Sequence, residues 1–129
     1  MERITFDRTG KQPLSFEGEY LSDLVEKVVW EGRKYSGELA MTKGGQYVVH
    51  IRYESSWYGE VNWDWAFYGS LDGVLQWVQT FDPMVPVKGF PEHVTGYHTK
   101  MANLEDGVRR GFEQLKGELC GALGPEEIE

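Results

Sequence analysis

Three consecutive stretches alternate apolar and polar residues with a period of two, and over so many positions that spacing suits only a half-buried β-strand. In RKYSGELAMT (33–42), Tyr35, Gly37, Leu39 and Met41 fall on one face; in QYVVHIRYE (46–54), Tyr47, Val49, Ile51 and Tyr53 do; in EVNWDWAFY (60–68), Val61, Trp63, Trp65 and Phe67 do. The connections are too short for crossovers, so the three strands form an antiparallel meander. The aromatic run of the third strand is therefore expected in the core rather than displayed as a ligand platform.

Turn chemistry sets the first register. Lys43-Gly44-Gly45 reads as a three-residue hairpin loop with Gly45 in the left-handed region, which places Met41 opposite Tyr47, Leu39 opposite Val49 and Tyr35 opposite Tyr53. A two-residue loop would put Thr42 opposite Tyr47 and mismatch the faces. For the second hairpin, pairing Tyr53 with Val61 and Val49 with Trp65 across SSWYG (55–59) keeps the apolar face continuous. A slip of two residues would preserve it as well.

Two helices follow. GSLDGVLQWVQTF supplies Ser70 as an N-cap and Leu71, Val74, Leu75 and Val78 at helical spacing. NLEDGVRRGFEQLKGELCGAL starts with a capping arrangement of Asn103 and Asp106 and carries Leu104, Val108, Phe112, Leu115 and Leu119 as one apolar stripe. Its internal glycines weaken it by roughly 1 kcal/mol each relative to alanine. Between them, DPMVPVKGFPEH (82–93) holds three of the five prolines and reads as an ordered crossing loop. In the N-terminal third, RITFD and PLSFEGEYL alternate loosely, whereas Leu21, Leu24, Val25 and Val28 have helical spacing after Ser22. One or two strands and then a short helix are expected there. The fold class is α+β: an antiparallel meander of three strong strands, four or five in all, packed on one face by two helices.

At 129 residues the chain has the length of one domain with one core, and a frayed acidic tail is expected from about residue 122 to 129. One cysteine, Cys120, permits no intramolecular disulfide and reads as a small buried apolar residue. With no apolar leader-like run and no stretch near the ~20 apolar residues of a spanning helix, a cytoplasmic protein without membrane contact is expected. The formal net charge of −8 argues against direct binding to nucleic acid and favours a protein partner, with a basic, nucleic-acid-handling protein as one such target. Residues 17–31 carry five carboxylates against Lys27, and residues 59–82 carry four against no basic residue. Nothing in the sequence specifies the oligomeric state.

Two constellations carry the functional expectations. The loop 55–59 places Trp57 beside Tyr58 at a hairpin tip, an aromatic area of the kind that binding hot spots use. Arg52 and Glu60 lie in the polar field beside it, so Trp57, Tyr58, Glu60 and Arg52 are the expected partner-binding residues of a non-enzymatic interaction module or small acidic inhibitor. The alternative lies on the polar face of the meander, where the register sets Glu38 opposite His50 and His50 opposite Asp64. A histidine between two carboxylates is raw material for acid-base catalysis, so Glu38, His50 and Asp64 mark a small-molecule or hydrolytic site. Solvated cross-strand charge pairs produce the same pattern, and no nucleophile is presented to His50. His93 and His98 stand without a third ligand at a metal-binding spacing, so neither a metal nor a cofactor is expected.

Overall fold

The period-two stretches become the centre of a six-stranded antiparallel sheet in the computed structural model, which describes residues 1–124. The strands are β1 (Glu2–Phe6), β2 (Leu14–Tyr20), β3 (Val25–Trp30), β4 (Arg33–Thr42), β5 (Tyr47–Ser55) and β6 (Trp63–Gly69), followed by α1 (Leu71–Thr80) and α2 (Tyr97–Gly121). Their order is β1-β2-β4-β5-β6, and β3 pairs with β4 as well. The β4–β5 register is the one the turn demands: Met41 faces Tyr47, Leu39 faces Val49 and Tyr35 faces Tyr53. Gly45 closes the loop at φ 88°, with Thr42 N–H donating to the Gln46 carbonyl. A side chain at that φ would be strained.

Three expectations are corrected. Residues 22–28 form no helix; Val25–Trp30 is β3, with Leu24 and Val28 exposed. The reason is the edge of β4, a ten-residue strand of which β2 pairs with only Thr42, Met41 and Ala40. β3 satisfies the backbone groups of its other half, from Gly37 to Arg33, and its β-branched valines suit that role. The β5–β6 register is the slip of two: Tyr53 faces Trp63, Ile51 faces Trp65 and Val49 faces Phe67. Val61 thus lies outside the strand and is exposed. Finally, α2 begins six residues earlier than Asn103, behind Gly96 in the left-handed region, and Asp106 pairs with Arg110 instead of capping. The expected tail falls partly on residues 125–129, which lie outside the described residues.

The odd-numbered face of β4 and β5 meets both helices. Tyr35, Leu39, Val49, Ile51 and Tyr53 pack with Val74 and Val78 of α1 and with Leu104, Val108, Phe112, Leu115 and Leu119 of α2. Burial of each such side chain contributes about 1.5–3 kcal/mol. At the centre, Tyr35 is fully buried, and its hydroxyl donates to the Pro83 carbonyl at 2.6 Å, joining the sheet to the proline-rich loop.

The even-numbered face has a core of its own. Ile4 and Phe6 of β1 bury Ala40 and Val48, so the β1–β2 hairpin curls across the back of the meander. The turn after β1 is tied to β6, the other end of the strand order. Thr9 N–H donates to the Asp64 carbonyl at 2.9 Å, and Asp64 N–H donates to Thr9 Oγ1 at 2.8 Å. The sheet bends until its two ends meet.

Glycines in α2 differ in what they permit. A Cβ on Gly111 would lie 2.6 Å from Val29 Cγ1 and 3.0 Å from Val29 Cα, so β3 and α2 touch only because the side chain is missing. A Cβ on Gly117 meets nothing within 4 Å. Gly111→Ala is expected to destabilise by about 1–3 kcal/mol through overpacking. Gly117→Ala is expected to stabilise by about 1 kcal/mol through helix propensity. Urea unfolding of both variants checks the pair, and equal shifts in one direction would refute this account of the β3–α2 contact.

Candidate functional site

On the curled, even-numbered face the polar residues of the meander form a closed network. Glu38 lies opposite His50, as expected, but the slip of β6 sets Asp64 opposite Arg52 and Ala66 opposite His50. Asp64 still reaches the histidine diagonally. His50 Nε2 lies 2.8 Å from Asp64 Oδ1, His50 Nδ1 lies 3.2 Å from Glu38 Oε1, and Arg52 Nη1 donates to Asp64 Oδ2 at 2.6 Å. The Phe6 ring stacks on the imidazole at 5.0 Å and 13°.

Carboxylates only accept, so both ring nitrogens of His50 carry protons in this arrangement. Burial alone would push the His50 pKa down, but hydrogen bonds from the imidazole to Glu38 and Asp64 outweigh it and raise the pKa above its ordinary value. The imidazolium is an ionic cross-link between β4, β5 and β6. Neither ring nitrogen is left to take a proton from a substrate.

Because the folded pKa lies above the unfolded one, the stability His50 adds is fully present below pH of about 6.5 and declines as pH rises through the folded value. The stability difference between the native chain and His50→Ala is therefore expected to be larger near pH of about 6 than near 9. Denaturant melts across that range check it, and a gap that widened with pH would contradict the charged cross-link.

The second constellation surrounds Glu60, expected on the surface as part of the partner field. Its side chain has no solvent exposure. Arg33, itself 4% exposed, donates Nε and Nη2 to the carboxylate at 3.0 and 2.7 Å. Tyr53 hydroxyl donates at 2.5 Å, Ser55 hydroxyl at 2.6 Å and the Lys88 backbone N–H at 2.8 Å. Arg33 Nη2 also donates to the Lys88 carbonyl. One carboxylate thus ties β4, β5, the loop 56–62 and the loop 81–96 together. Burial pushes the Glu60 pKa up, but the donors from Arg33, Ser55, Tyr53 and Lys88 outweigh it and hold it below the ordinary carboxylate range. Burial, and after it the same contact, raise the Tyr53 pKa.

This arrangement explains the slip in β6: Glu60 must turn inward, and Asn62 Oδ1 accepts from Ser55 N–H, so the strand begins only at Trp63. Trp57 folds back. Its indole N–H donates to the Glu31 carbonyl, and its ring lies 4.7 Å from the Arg33 guanidinium carbon. Gly32 sits beneath at φ 76°, where a Cβ would meet the indole nitrogen at 2.7 Å. Tyr58, by contrast, is fully exposed. Arg52, the fourth expected contact residue, is half-buried and held by Asp64 and Glu54 away from this loop.

Two cavities meet at Glu60 and Lys88, which border both. One, of about 320 Å³, is bordered by Val61, Trp63, Trp65, Val85 and Val87; the other, of about 250 Å³, by Arg33, Trp57, Tyr58, Phe90 and Leu104. Trp57, Tyr58, Val61, Trp63 and Val85 are all among the exposed large apolar side chains. The slip of β6 is what leaves Val61 and Trp63 at the rim instead of in the core. Nothing in the sequence marks Glu60 as buried, whereas the Arg33–Ser55 pairing follows from the β4–β5 register.

Among the described residues, no group of three or more His, Cys, Asp or Glu is placed to hold a metal ion, and no helix is long and apolar enough to cross a membrane. In comparisons with known proteins, no family model, curated protein or solved structure matches the chain.

Glu60→Gln leaves the Arg33 guanidinium buried without a counter-charge, and a loss of about 3–5 kcal/mol is expected. The depressed pKa means that the stability from Glu60 is present above the ordinary carboxylate pKa and is lost as pH falls through the folded value. The gap between Glu60→Gln and the native chain is therefore expected to close toward acid pH. Thermal melts at neutral and acid pH check both statements.

Proposed function

We propose that the chain is a non-enzymatic binding module that docks a protein partner on the apolar rim formed by the loops 56–62 and 81–96. The observation that carries this reading is the gathering of Tyr58, Val61, Trp63 and Val85, all exposed, around two cavities whose floor is held by the buried Glu60. Large apolar side chains cost free energy in water, and a rim of them beside concave surface is the composition of a contact site. The loops beneath the rim are tied to the sheet through Glu60, which lowers the ordering entropy that opposes association. The net charge of −8 favours a basic partner by long-range attraction, with inhibition of such a partner as one outcome of occupying its surface.

Tyr58→Ala combined with Val61→Ser removes two rim side chains that make no contact with the Glu60 carboxylate. The double variant is expected to keep its unfolding midpoint and to lose partner binding by about 10-fold or more. Surface plasmon resonance against the partner captured by the native chain measures this. Unchanged affinity would remove the rim as the contact surface.

A further inference from the structure

β6 ends the strand order, so one of its edges faces away from the sheet. At Asp64 that edge is already used: both backbone groups of this residue turn outward, the carbonyl to Thr9 N–H and the N–H to Thr9 Oγ1. In an antiparallel strand alternate residues share that direction, so the N–H and C=O of Ala66 and Tyr68 turn outward as well. Neither residue's backbone finds a partner on that side among the described residues. Cavities open beside both: one of about 270 Å³ is bordered by Ala66, Thr9 and Trp77, and one of about 250 Å³ by Tyr68, Leu14 and Phe16.

The other two strands with a free edge, β1 and β3, are guarded by charge. β1 carries Glu2 and Arg3, and β3 carries Glu26 and Lys27, which pair with Lys34 and Glu118. Charged side chains of this kind keep an edge from recruiting a further strand. From Ala66 to Gly69, by contrast, β6 has no charge and no proline, and it pairs with β5 without a bulge. Tyr68 on this stretch is half exposed. An edge bare of these devices is a template for another strand.

We propose that this strand is β6 of a second copy of the chain, paired antiparallel about a two-fold axis at Phe67, so that two sheets join into one. With that centre Ala66 lies opposite Tyr68 of the second copy and exchanges both backbone hydrogen bonds with it, and the symmetric pair does the same. All open groups of Ala66 and Tyr68 in both copies are then satisfied. The neighbouring registers are excluded by what the chain already holds there. A centre at Ala66 drives Tyr68 of the second copy onto Asp64, whose edge Thr9 occupies. A centre at Tyr68 sets Ala66 opposite Ser70, whose carbonyl already accepts from Val74 N–H. The side chains fit the same centre: the large Tyr68 faces the small Ala66 on one side of the sheet, and Phe67 meets its own copy on the other. Tyr58, Val61 and Val85 take no part, so the pairing is independent of partner docking on the rim.

Sedimentation equilibrium of the whole chain from about 10 µM to about 2 mM measures the association. The overlap is short, so a reversible dimer with a Kd of about 100 µM is expected. Hydrogen exchange at the Ala66 and Tyr68 amides is expected to slow by about 5-fold or more between the two concentrations, while loop amides away from the edge keep their rates. Tyr68→Lys places a charge on the edge and is expected to weaken the dimer by about 10-fold or more at an unchanged melting temperature. Tyr58→Ala combined with Val61→Ser is expected to dimerise as the native chain does. Each copy carries a net charge of −8, so association is expected to tighten as salt rises, opposite to the docking of a basic partner. A monomer at about 2 mM, a dimer in which both amides exchange at the monomer rate, or one that Tyr68→Lys leaves undiminished would overturn the proposal.

Discussion

A carboxylate with no access to solvent holds one end of this molecule together. Glu60, on the loop 56–62, accepts from Arg33 of β4, from Tyr53 and Ser55 of β5 and from the Lys88 backbone of the loop 81–96. A buried ion pair of this kind adds little net stability compared with a well-packed apolar cluster of the same volume, because both charges must first leave water. Its effect is on specificity. The conformation of the loop 56–62 brings the carboxylate within reach of four donor residues, and withdrawing it would leave a buried guanidinium uncompensated. The start of β6 after Glu60 and the seating of the proline-rich loop at Lys88 are tied to that contact.

The opposite face of the sheet is organised by the reverse charge. There a cation, the His50 imidazolium, is held between Glu38 and Asp64, with Phe6 stacked over it and Ile4 beside it in the small second core. The β1–β2 hairpin curls over this face because Ala40, Val48 and Ala66 are small enough to admit it. What the alternation alone presents as a solvated polar surface is therefore half roofed. The network binds three strands to one another, with both ring nitrogens of His50 already engaged by carboxylates.

The β4–β5 hairpin was legible from its residues because two independent signals agree there. Gly45 admits a positive φ, and the apolar phase of Tyr35, Leu39 and Met41 matches that of Tyr47, Val49 and Tyr53 only with a three-residue loop. Ser70 was legible for the same reason, an oxygen at the right distance from an apolar helix face; it accepts from Gly73 N–H. The β5–β6 register was not, since a slip of two residues leaves every side chain on the same face, and the term that decides it is the burial of Glu60. In sequence Glu60 looks like any other acid, and its strongest partner is Arg33, 27 residues away. The stretch Leu21–Val28 misleads for a related reason. Its helical spacing is real, but the unpaired edge of β4 is a property of the assembled sheet, and backbone groups left without partners cost more than the local preference can offset.

The surface that results differs in kind from a floppy aromatic hairpin tip. Of the two aromatic residues at that tip, Trp57 is half given over to the frame: its ring lies on Arg33 and its indole N–H is bonded to the chain at Glu31. Tyr58 makes no such commitment and is fully exposed. Trp57 covers the guanidinium that neutralises Glu60, and Glu60 in turn anchors Lys88, so the walls of both cavities are joined through one hydrogen-bonded cluster.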